Sequence, residues 1–226
     1  WLGAGYYQVG QAEVFHVTAP SAIPVYTRGD VSYQLSTGVA LGLAGFKLSE
    51  LSPPQELSTL SLAPGLQIAY SVTPHWQLKP FVHGGIGFSF TDKSKSTYLM
   101  SVGLKNVYRR SIYGLKTSFG NRLLFAKYHE TKWSDDTLAI LSHGVDVKLP
   151  LSFSVGATPL DLNLFLIHDL FTPQLTSRLT QLSWMMKMGF HIGHVKPVRL
   201  KLRLGLYYVA GDERLKGVRI NMGFPF

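Results

Sequence analysis

The chain has no cysteine at any of its 226 positions. That excludes disulfide frameworks and thiolate metal centres, and it suits a protein that crosses an oxidising compartment unfolded. Charge is also sparse: Asp, Glu, Lys and Arg make up 15% of residues, and the 13 acids are outnumbered by 22 Lys and Arg. Although 46% of residues are hydrophobic, no run approaches the ~20 consecutive apolar residues that a spanning helix needs. The formal charge of +9 raises the question of nucleic acid. No long basic run exists, however, and the cations fall inside alternating segments, so no nucleic-acid partner is expected. The sequence opens on Trp1 without an initiating Met, and an export signal is expected to have been removed or to lie outside it.

What the chain does have is alternation. Val198, Leu200, Leu202, Leu204 and Leu206 are interleaved with Arg199, Lys201, Arg203 and Gly205. A period of two puts one set on each face of a strand, whereas a helix would scatter both sets around its circumference. The same pattern recurs in Trp184, Met186, Met188, Phe190 and Ile192; in Leu160, Leu162, Leu164 and Leu166; and in Val82, Ile86, Phe88 and Phe90. The intervening positions are Gly, Ser, His and charged residues. A soluble sandwich would hide its apolar faces against each other; here one face is continuously apolar and the other suits a watery lumen. In lipid the backbone must satisfy its own hydrogen bonds, so a spanning protein without spanning helices must be a closed barrel. The sequence therefore reads as all-β, a single domain over 1–226 forming a transmembrane antiparallel β-barrel in a bacterial outer membrane.

Turn residues divide the strands. Short turns are expected at Thr73-Pro74-His75, Gly156-Ala157-Thr158-Pro159 and His194-Val195-Lys196-Pro197, with longer polar segments at 49–63, 91–96, 131–136, 172–179 and 211–213. Short periplasmic turns alternating with long outer loops is the habit of these barrels, which makes the C-terminus periplasmic. Strands are expected near 1–9, 12–19, 33–48, 64–72, 77–90, 97–108, 111–130, 137–150, 160–171, 180–193, 198–209 and 214–226. That gives about twelve, or ten if the N-terminal pair lies outside the wall. Within 97–130 the turn could fall at Tyr108-Arg109-Arg110 or at Ser118-Phe119-Gly120-Asn121.

Alternation places Lys79, Lys105, Lys148, Lys187, Arg199, Lys201, Arg203 and Arg219 in the lumen, with Asp146 and Asp161 as acidic partners. Arg199, Lys201 and Arg203 are expected beside Arg219 on the neighbouring strand. Close like charges must be solvated or paired, so this stripe implies either an anion-preferring lumen or a neutralised, packed one. On the opposite face, His143 and His168 come together if the turn between their strands centres near 155–156. An outer-leaflet lipid hydrolase would need a serine hydrogen-bonded to such a histidine, but Ser142 points inward by parity, which favours histidines of the interfacial girdle. No catalytic residue, metal-ligand spacing or cofactor motif emerges, and Gly84-Gly85-Ile86-Gly87 sits in a strand rather than in a phosphate loop.

The final segment, Gly217-Val218-Arg219-Ile220-Asn221-Met222-Gly223-Phe224-Pro225-Phe226, has Val218, Ile220, Met222, Phe224 and Phe226 on one face. It resembles the C-terminal signal that the barrel-assembly machinery reads, apart from Pro225, which removes one ladder donor. The resemblance makes that machinery a partner, beside outer-membrane lipid, lipopolysaccharide and an unidentified envelope protein. In strand count, and locally in Thr73-Pro74-His75-Trp76-Gln77-Leu78-Lys79-Pro80-Phe81-Val82, the chain is similar to autotransporter translocator barrels, specifically the solitary, passenger-less kind. That resemblance implies a structural, transport or envelope-interaction role without enzymatic activity.

Overall fold

The computed structural model describes residues 2–9, 12–46, 55–90, 96–130, 136–155, 158–171, 183–194, 203–212 and 214–222. Twelve strands run in chain order: β1 (Leu2–Val9), β2 (Ala12–Arg28), β3 (Val31–Phe46), β4 (Gln55–Thr73), β5 (Trp76–Ser89), β6 (Ser96–Ile112), β7 (Leu115–Glu130), β8 (Asp136–Val155), β9 (Thr158–Phe171), β10 (Trp184–His194), β11 (Arg203–Gly211) and β12 (Lys216–Met222). Each pairs antiparallel with its chain neighbours, and β1 pairs with β12 from Leu2↔Met222 to Gln8↔Lys216. Closure leaves the wall without the long unpaired edges that lipid could not solvate.

The alternation seen in the sequence becomes an outside and an inside. Leu66, Met100, Val102, Leu204 and Ile220 all face outward, Met100 with 70% of its surface free. An apolar belt of this extent is untenable in water and is what a hydrocarbon environment demands. Aromatics flank it. Trp76 and Tyr108 pair near the end carrying the short turns, and Tyr6 and Tyr208 both lie opposite Val218 near the other end.

Three of the short turns are tight. Gly29-Asp30 and Pro74-His75 join β2 to β3 and β4 to β5. In the second, the Thr73 hydroxyl accepts from the His75 and Trp76 amides at 3.2 and 3.0 Å. The third corrects the expectation for 97–130: it falls at Tyr113-Gly114, not at 108–110 or 118–121. Both residues have positive φ, 49° and 78°, as a two-residue hairpin turn of type I′ requires. Arg109-Arg110 and Gly120-Asn121 look like punctuation in the sequence but are ladder residues.

Two further boundaries move. β2 continues past 19 to Arg28 because Pro20 and Pro24 sit where only the β3 side is paired, and there a missing amide costs the ladder nothing. β4 already begins at Gln55, so much of the segment 49–63 expected to be loop is strand, paired to β3 through Gln55↔Phe46. The expected start of a strand at 198 lies outside the described residues.

Candidate functional site: the charged lumen wall

The tight turn at Tyr113-Gly114 fixes the register of β6 against β7, and that register sets the electrostatics of the lumen. Lys79 on β5 lies directly opposite Lys105 on β6, and Lys105 directly opposite Arg122 on β7. The row continues through Ser142 on β8 to Asp169 on β9. Nearer the short-turn end, Lys116 on β7 faces Lys148 on β8. Like charges directly opposite each other in a ladder are destabilising, so each needs a partner or water.

Some have partners. Lys148 Nζ meets Asp161 at 2.5 Å, and Lys187 on β10 reaches diagonally to Asp169 at 2.6 Å. Arg122 donates to the Ser142 hydroxyl at 3.1 Å and lies 3.9 Å from Asp169. Lys105 donates to Gln67, which in turn donates to Gln34, and its ammonium lies over the Phe81 ring. Lys79, Arg109 and Lys116 have no carboxylate partner among the described residues.

The other half of the wall is packed. Phe165 on β9 stacks on His191 at 4.8 Å between centroids and meets Tyr207 on β11 edge-on at 5.7 Å. With Val209 and Leu215 these rings form a buried cluster facing inward. Apolar groups therefore line this sector, where the sequence suggested a face rich in Gly, Ser, His and charged residues. Next to it, Arg219 on β12 lies over the Tyr207 ring, donates to Asn221 at 3.1 Å and reaches across the closing seam to Thr18.

The expected lumen residues can now be placed. Lys79, Lys148, Lys187, Arg219, Asp146 and Asp161 all lie on the inner face, with Lys148 and Asp161 paired. Arg199 and Lys201 lie outside the described residues, as does the side chain of Arg203. Opposite Arg219 on β11 stands Tyr207, with Arg203 four residues earlier on that strand; the expected placement of Arg199 and Lys201 beside Arg219 lies outside the described residues. Among the described residues, cations directly opposite one another lie on β5–β8. Sequence reasoning missed Arg109, Lys116 and Arg122 there because their facing depends on the misplaced turn. The glycine at 114, flanked by two β-rich runs, was the available signal.

On the lipid side, His143 and His168 are directly opposite, as expected from the turn near 155–156. The His143 ring N–H donates to Asn121 Oδ1 across 2.7 Å. Ser142 is buried on the lumen side and holds Arg122, so it does not meet either imidazole. Of the assembly-signal residues, Val218, Ile220 and Met222 face outward on β12, while Phe224 and Phe226 lie outside the described residues.

No family model and no curated relative matches the sequence. Solved structures do match in fold. The β domain of the Bordetella autotransporter BrkA superposes with a TM-score of 0.66 at 9% identity, covering 99% of this chain and 97% of that one. The translocator domain of NalP from Neisseria meningitidis gives 0.65 at 13% identity, covering 100% and 86%. The transport unit of AIDA-I from Escherichia coli gives 0.56 at 9%, covering 99% and 89%. The chain is a closed twelve-stranded antiparallel β-barrel whose fold matches the β and translocator domains of these autotransporters.

Proposed function

We propose that this barrel works alone as a narrow conduit that prefers anions, with its termini on the periplasmic side. The observation that carries the reading is the run Lys79–Lys105–Arg122, three cations at consecutive cross-strand positions on the inner wall, of which only Arg122 approaches a carboxylate among the described residues. A row of this kind in a low-dielectric wall raises the local potential and favours counter-ions over co-ions. The packed sector around Phe165 and Tyr207 narrows the bore, so conductance is small beside that of 16–18-stranded porins.

Bilayer reconstitution tests this. In a KCl gradient the reversal potential should report chloride preference, and Lys79→Ser with Lys105→Ser should move it toward zero. Cation preference in the unmodified barrel, or a reversal potential indifferent to both substitutions, contradicts the proposal.

The packed half of the wall supports a second reading, a translocator-like barrel of the passenger-less kind with a structural or envelope-interaction role. It predicts no resolvable conductance and a phenotype in envelope integrity rather than in solute uptake.

A further inference from the structure

A cavity of about 300 Å³ opens at the short-turn end of the barrel, lined by His75, Arg109, Lys116, Lys148, Asp146 and Asn163 among others. Its position follows from the register. Arg109, Ser118 and Asp146 form one inward row across β6, β7 and β8, and Lys116, Lys148 and Asn163 form the next across β7, β8 and β9. The turn residue His75 is tied to this rim through its carbonyl, which accepts from the Arg109 amide at 2.8 Å.

Two independent features point to a ligand. The first is charge. Lys148 is neutralised by Asp161, but Arg109 and Lys116 reach the cavity with no carboxylate partner among the described residues. The second is a buried acceptor. Asn163 is 1% exposed, its amide nitrogen is directed to Asp161 at 3.5 Å, and its Oδ1 has no hydrogen-bond partner among the described residues. A buried unsatisfied carbonyl costs roughly 1–3 kcal/mol unless something donates to it. A fully deprotonated anion such as chloride or sulfate has no donor, whereas a hydroxylated one supplies both the charge and the O–H. Ser111 and Ser118, on the same inward rows of the lining, match a polyhydroxylated ligand.

We propose that this mouth is a binding site for a small hydroxylated anion of the sugar-phosphate or sugar-acid class. Arg109 and Lys116 hold its charged group, and Asn163 Oδ1 accepts from one of its hydroxyls. The inference rests on the anion-preferring lumen and adds a selective vestibule to it.

The test uses the full barrel with glucose 6-phosphate and inorganic sulfate as probes, in calorimetry and as blockers added to each side of a zwitterionic bilayer in turn. Glucose 6-phosphate should bind more tightly than sulfate and block from one side only. Lys116→Ser and Arg109→Ser should weaken both probes by about tenfold, the size of one lost charge-assisted contact. Asn163→Leu should weaken glucose 6-phosphate alone. Equal binding of both probes, or an Asn163→Leu barrel that binds both as before, overturns the hydroxyl contact. Block that vanishes in anionic bilayers reassigns the cations to lipid headgroups and overturns the site. Chloride preference without any binding refutes the vestibule and leaves the conduit standing. Binding without chloride preference refutes the conduit and leaves the vestibule.

Discussion

Replacing Asp169 by Asn removes the acid on which the centre of the charged wall depends. Its carboxylate is 1% exposed, 2.6 Å from Lys187 Nζ and 3.9 Å from an Arg122 nitrogen. At an effective dielectric of about 20, those separations correspond to attractions of about 6 and 4 kcal/mol. Desolvation of the buried carboxylate offsets much of this, and truncating one partner of a buried pair typically costs about 3–5 kcal/mol because the other charge is stranded. Here the lower figure applies, since the Lys187 side chain is 23% exposed and can turn partly toward lumen water. The expected loss is therefore about 3 kcal/mol. It is measured as the shift in urea-induced unfolding of the barrel in lipid vesicles, followed by tryptophan fluorescence, with the gel shift of unheated samples as a second probe. Asp169→Leu combined with Lys187→Met removes both charges and leaves an apolar pair, and it should recover most of the loss. If Asp169→Asn unfolds within about 0.5 kcal/mol of the parent, the range of an ordinary surface change, the pair is not a stabilising element and the lumen is wetter than its burial implies.

Other perturbations read other parts of the structure. A Cβ on Gly205 would lie 1.7 Å from the His191 ring, so Gly205→Ala should displace that ring from Phe165 and cost about 1–3 kcal/mol; unchanged stability would mean the stack is not formed. Nitroxides at Val102 and Ser101 should report lipid and water respectively, and reversed accessibility would overturn the inward placement of Lys105 on the same strand. Asp212, in the β11–β12 connection, accepts from the Ser183 amide at 2.5 Å and from its hydroxyl. Burial alone would raise its pKa, but these hydrogen bonds outweigh it and the net shift is downward. A depressed carboxylate pKa gives a contribution that is complete above the unfolded value of about 3.9 and lost as pH falls through the folded one. Amide exchange at Ser183 and Trp184 should stay slow down to about pH 4 and quicken below it; Asp212→Asn should show fast exchange throughout, and a wild-type profile without that acid limb would exclude the carboxylate as the clasp.

How much of this was legible in the sequence depended on the range over which the information is stored. Alternation is local, so Leu204, Leu206, Arg219 and Ile220 could be assigned to their faces from a few residues each. Turn position was local only where the punctuation was unambiguous, as at Pro74-His75. At Tyr113-Gly114 a β-forming aromatic occupies a turn position, and the more polar dipeptides on either side drew attention away. A shift of a few residues there leaves the strand count intact but decides which cations share a row, so the wall of Lys79, Lys105 and Arg122 was out of reach. The extension of β2 through Pro20 and Pro24 was hidden for a related reason. Proline excludes a central strand but is harmless where one side of the strand is unpaired, and pairing is not written in the strand itself. Alternation puts Phe165, Tyr207 and Val209 on the inner face, but their packing into one cluster with Leu215 depends on the cross-strand register, which no single strand records.

The two halves of the lumen are consequences of how the barrel closes. The β1–β12 seam joins residues more than 200 positions apart, such as Arg219 and Thr18, so the last strands carry the largest loop-closure entropy. The contacts that secure the seam are correspondingly dense. Arg219 crosses β1 over Gly3, where any Cβ would meet the guanidinium at 2.5 Å, and engages Thr18 on β2 while lying over Tyr207 on β11. One side chain thus ties four successive strands, β11, β12, β1 and β2, and the aromatic cluster beside it fills the remaining space. No such demand falls on β4–β7, whose hairpins close locally through Pro74-His75 and Tyr113-Gly114. That arc can leave cations such as Lys79 and Lys116 to lumen water without endangering closure. The contacts that secure closure and the cations left to the lumen therefore lie on opposite arcs of the same wall.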